Sequence, residues 1–152
     1  MLLWLIETDV FQIPQLHKRF NVGGNAKKTL TAYYRIMETN ELTILYRPVG
    51  PEELALIEQL GWKKFPPRLP EQPIFYPVMN EEYAIQIARD WNVPASGSGF
   101  VTKFAVRTEY VSKFEVQNVG GEIHNELWVP AEELDEFNNN IVGQIEVTKG
   151  FR

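Results

Sequence analysis

Between Gly120 and Phe137 the chain reads G-G-E-I-H-N-E-L-W-V-P-A-E-E-L-D-E-F, and no other stretch restricts the fold as tightly. Two adjacent glycines permit a sharp loop, because glycine reaches positive φ without a Cβ clash. Glu126-Leu127-Trp128-Val129 then predicts a short strand, since aromatic and β-branched residues suit a half-buried pleated surface. Pro130 ends that strand and fits the first position of a helix. The helix continues through A-E-E-L-D-E-F, with Leu134 and Phe137 three apart on one face. A carboxylate, Glu126, thus stands where a glycine loop enters a strand. His124 lies two residues upstream, and at a period of two both side chains point the same way.

Upstream, Leu42–Tyr46 (L-T-I-L-Y) predicts a buried strand with Arg47 at its end. The rigid fork of an arginine suits phosphate or carboxylate; a surface arginine paired with an acidic neighbour is the plainer reading. Pro51–Leu60 predicts a helix, with proline at its start, two glutamates in the first turn, Leu54, Ile57 and Leu60 on one side, and Gly61 as a stop. The proline-rich W-K-K-F-P-P-R-L-P-E-Q-P predicts an extended wall over the core, with Arg68 free to reach a site. Ile74–Val78 predicts a short extended segment. Asn80 then caps a helix whose apolar face is Tyr83, Ala84, Ile87, Ala88 and Trp91, read as core residues. Asn92–Gly99 predicts a flexible turn. Phe100–Val106 predicts a strand, Thr108–Ser112 a helical turn, Lys113–Val119 another extended segment and Ile141–Thr148 a last strand. Five or six strands and three helices without regular β-α alternation favour an α+β fold over a doubly wound parallel sheet.

The 152 residues fit one domain able to bury a core. With no cysteine there is neither a disulfide framework nor a thiol nucleophile. A net charge of −5 disfavours broad phosphate neutralisation of nucleic acid. Met1–Ile6 is apolar but too short to span a membrane and lacks a basic start, so a soluble, cytoplasmic protein without membrane contact is expected. Residues 1–40 differ in character: their charges are mostly basic, and they predict an N-terminal extension ahead of a domain over 41–152. A packed or partly ordered extension is the favoured reading over a partner-binding arm.

Walker, Rossmann, Gly-x-Ser-x-Gly and HExxH patterns are all missing from the sequence. The two histidines are far apart, which disfavours a histidine metal site. The polar candidates are therefore Arg47, Tyr76, His124 and Glu126.

In order along the chain, a strand ending L-Y-R, the segment F-Y-P-V-M-N-E-E-Y-A, and E-L-W-V-P entering A-E-E-L resemble the ADP-ribosyltransferase-like superfamily, in particular small bacterial proteins and the domains that end polymorphic toxins. The resemblance covers roughly residues 42–147. It implies a split β-sandwich with about three helices around a cleft, and NAD as substrate. It further implies that Arg47 holds NAD, Tyr76 lies by the nicotinamide and Glu126 contacts the nicotinamide ribose, with His124 where many members carry Gln or Glu. The implied activity is transfer of ADP-ribose to a protein or nucleic-acid acceptor, or hydrolysis of NAD. A catalytically inactive domain of the same fold, acting as an interaction or regulatory module, is the alternative. An RNA phosphate-transfer enzyme is a third reading, which needs more basic residues than this acidic chain offers.

Overall fold

A computed structural model describes residues 32–33 and 41–152. The expectations for residues 1–40 lie outside the described residues, Ala32 and Tyr33 apart. From residue 41 onward the fold is α+β, and all its strand pairs are antiparallel. Strand β1 (Leu42–Val49) pairs with β3 (Gly99–Arg107), which pairs in turn with β7 (Ile141–Phe151). Two shorter ribbons join β2 (Ile74–Phe75) to β6 (Val129–Pro130) and β4 (Val116–Asn118) to β5 (Asn125–Leu127). The segment around Val78 welds β1 to β5. Tyr46 and Val78 exchange backbone hydrogen bonds of 2.8 Å, while Leu127 N–H donates to Pro77 O at 2.9 Å and Met79 N–H to Asn125 O at 3.0 Å.

That pairing fixes two faces, because residues directly opposite one another share a side of the sheet. Leu45, Val49, Phe75, Phe104, Leu127 and Val129 fill one side and are buried. They pack with Phe65, Phe137 and Ile57 into the main core. Phe65 lies 4.9 Å from Phe75 and 4.8 Å from Phe104, centroid to centroid, at tilted or edge-on angles. Such pairs contribute about 0.5–1.5 kcal/mol each beyond their burial. The opposite side carries Tyr46, Val78 and Val101, covered by Ala84 and Ala88 of the following helix.

Helix α1 (Pro51–Gln59) buries Ile57 and ends in a Schellman turn, with Trp62 N–H on Ile57 O and Gly61 N–H on Glu58 O. Gly61 and Trp62 both have positive φ, at 69° and 62°. The carbonyl of Trp62 accepts from Ile145 N–H of β7 at 2.7 Å, which ties the strained turn to the sheet. The proline-rich loop is a wall as expected, with Phe65 and Pro66 buried. The Phe65 backbone is satisfied by the buried Asn138 side chain, which accepts from Phe65 N–H and donates to Phe65 O.

Several expectations need correction. Leu42 and Ile44 are exposed, so the first strand alternates and is not buried on both sides. Helix α2 (Glu81–Ile87) is capped by Asn80, whose side chain accepts from Glu82 and Tyr83 N–H. It continues into a π-helical turn, Ala88–Asn92, and then α3 (Val93–Ser96), where a flexible turn was expected. The wider π turn rotates later residues out of α-helical phase, and Trp91 is 73% exposed instead of lying in the core. A short helix α4 (Thr108–Val111) follows β3. Pro130 belongs to β6, after which a 3₁₀ turn (Ala131–Glu133) leads into α5 (Leu134–Asn139).

Candidate functional site

Glu126 sits in β5 opposite Val78 on one side and Gln117 of β4 on the other, so Tyr46, Val78, Glu126 and Gln117 form a row on the helix-covered face. Trp128, two residues on, shares that side and donates its indole N–H to Glu126 Oε1 at 2.8 Å. Tyr83 of α2 donates its hydroxyl to Glu126 Oε2 at 3.2 Å. Glu126 is only 9% exposed, yet Tyr76 and Trp128 beside it are 41% and 44% exposed. Their rings meet edge to face, 6.3 Å apart at 87°. A buried carboxylate thus lies at the base of an open aromatic corner. An ionised carboxylate offers about four lone-pair directions, and the two donors occupy two of them. Among the described residues no other side chain donates to it.

Burial holds the Tyr83 hydroxyl above its ordinary pKa, and the neighbouring Glu126 charge and hydrogen bond add to the effect. Tyr83 therefore remains a proton donor to Glu126 at neutral pH.

His124 stands next to this corner but does not bond Glu126. Its Nδ1 accepts from Gly121 N–H at 2.8 Å, which places the ring proton on Nε2, 2.9 Å from Gln86 Oε1. The ring lies 4.6 Å from that of Tyr83. The glycine pair makes this closure possible: a Cβ at Gly120 would stand 2.7 Å from His124 Nδ1. Position 120 needs glycine for proximity.

Arg47 is elsewhere. It lies on the Leu45–Val49 side of β1, 4.6 Å above the Phe75 ring, on the sheet face opposite Glu126. Its guanidinium binds Glu53 of α1 through two bonds, Nε to Oε1 at 2.7 Å and Nη2 to Oε2 at 3.0 Å, and reaches Tyr76 O at 3.2 Å. Arg68 joins the same carboxylate at 3.4 Å, so the expectation that it is free is corrected. Both arginine side chains are 9% exposed. Burial and the Arg47 charge pull the Arg68 pKa down, while Glu53 offsets part of this. Of the four residues singled out in the sequence, Glu126, Tyr76 and His124 gather on one face, and Arg47 meets Tyr76 only through its backbone.

Sequence reasoning missed Tyr83, Trp128, Gln86 and Glu53. Period two already aligned Trp128 with Glu126 and His124. The link from Tyr83 to Glu126 spans 43 residues and had no local signal. Among the described residues no group of His, Cys, Asp and Glu is arranged to hold a metal ion, and no helix is long and apolar enough to cross a membrane. Compared with family models, curated proteins and solved structures, the chain gives no significant match in any of the three.

Proposed function

We propose that the Glu126 corner binds the nicotinamide-ribose end of NAD and that this is an ADP-ribosyltransferase-like domain of the split β-sandwich type. The observation that carries this is the buried Glu126 carboxylate, fixed by Tyr83 and Trp128 under two exposed aromatic rings. The nicotinamide of NAD is a pyridinium, and aromatic faces attract such a cation. Breaking the C1′–N bond sends its electron pair to the nicotinamide nitrogen and leaves positive charge on the sugar. A preorganised carboxylate stabilises that charge, as in glycoside hydrolysis. Water or an acceptor nucleophile then bonds to C1′ and gives up a proton.

A second reading, a non-catalytic interaction module of the same fold, draws on Arg47. Arg47, which the resemblance expects to hold NAD, faces away from Glu126 and is already held by Glu53. The two are separated by titrating the protein with NAD and assaying nicotinamide release. Saturable binding with release that Glu126→Gln abolishes supports the enzyme. Absence of both NAD binding and release would leave the module.

A further inference from the structure

Beside the Glu126 corner a cavity of about 390 Å³ opens between Phe114, Trp128 and Pro130, with Glu115, Gln117 and the Lys113–Glu133 pair on its polar side. Gln117 and Trp128 join it to the row that contains Glu126. Glu115 and Glu133 line it against the single Lys113, and from Thr108 to Asn140 the chain carries eight of the protein's 20 acidic residues with Lys113 as the one lysine. That lysine is itself neutralised, within 4.0 Å of both Glu133 and Glu136. Its ammonium lies 4.3 Å from the Tyr110 ring centroid and 5.1 Å from that of Phe114. The groove thus already holds one cation by rings and carboxylates together, while Trp128 and Glu115 remain exposed.

We propose that this groove docks a basic, arginine- or lysine-rich segment of a protein partner. Cationic side chains stack on Trp128 and Phe114, where a cation over an aromatic face is attracted by the ring quadrupole. Glu115 supplies charge complementarity, which sets specificity and encounter rate. The Gln117 amide is placed to bond the segment's backbone. Nothing in this docking requires NAD, so it stands or falls apart from the catalytic reading.

The test uses the full chain, without NAD, and a fluorescently labelled peptide of alternating glycine and arginine, followed by anisotropy. Saturable binding is expected, with glycine-serine and glycine-glutamate peptides inactive. Glu115→Lys should weaken it about tenfold, while the same charge reversal at the exposed Glu58 of α1 changes it less than about threefold. Phe114→Leu, which leaves charge untouched, should weaken it about threefold or more. Absence of saturable binding overturns the proposal. So do equal losses at Glu115 and Glu58, or no loss in Phe114→Leu, because either identifies general attraction to an acidic protein.

Discussion

Glu126 illustrates how packing changes the meaning of a substitution. A carboxylate that merely lines an open cleft tolerates Gln without loss of stability. In the fold Glu126 accepts from two donors, the Tyr83 hydroxyl and the Trp128 indole. An amide turns one acceptor into a donor and leaves one of those groups facing it unpaired. Glu126→Gln should therefore cost about 1–3 kcal/mol, seen as a lower midpoint in urea, and should lower nicotinamide release about a hundredfold if the charge serves catalysis. Tyr83 adds a pH signature. Its pKa is raised in the folded state, first by burial and then by Glu126, so the folded chain holds this proton more tightly than the unfolded chain. The stability it contributes is complete below the ordinary tyrosine value of 10.0 and is lost as the pH climbs through the raised folded value. Denaturant midpoints measured from neutral to alkaline pH should fall less steeply in Tyr83→Phe than in wild type. Parallel profiles would show that Tyr83 is not the group that titrates.

Loops and ribbons depend on contacts of similar economy. The Gly120–Gly121 turn closes on His124 Nδ1, so Gly120→Ala must push the ring away or open the turn. Stability should drop by about 1–2 kcal/mol. The loss should be much smaller when His124 is already alanine, a coupling that a double-mutant cycle measures. Additive losses would locate the strain elsewhere. Arg47 of β1, Glu53 of α1 and Arg68 of the proline-rich loop meet over Phe75. Glu53→Gln leaves two guanidinium groups facing each other with nothing to offset them. A loss of about 2–3 kcal/mol is expected, reduced from the value for a fully dry pair because Glu53 is still partly wet. A thermal midpoint unchanged in Glu53→Gln would show that the cluster is solvent-screened.

From residue 41 onward the described residues assemble their own core, from Leu45 in β1 to Ile145 in β7. Both ends of that span lie in one antiparallel sheet, and the rings of Phe65, Phe75, Phe104 and Phe137 join loop, ribbon, sheet and helix. A chain beginning at Met37 is therefore expected to unfold in a single cooperative transition by calorimetry. A broad, non-cooperative transition would show that earlier residues complete this core.

Signals carried within a few residues were legible in the sequence. The Asn80 cap, the α1 helix with its Gly61 stop and the strand at Gly99–Arg107 all follow from local propensity and period, and the α+β class follows from their order. The same period of two put His124 and Glu126 on one side. Register decided the rest. Only the Tyr46–Val78–Glu126 pairing shows that Arg47, one residue beyond Tyr46, falls on the opposite face from Glu126. A shift of one residue in a strand exchanges its faces, and no composition or motif reveals it. The π turn that turns Trp91 outward and the 43-residue link from Tyr83 to Glu126 are likewise products of packing. They exist because close-packed side chains, and not local propensities, choose among backbones that the sequence makes almost equally acceptable.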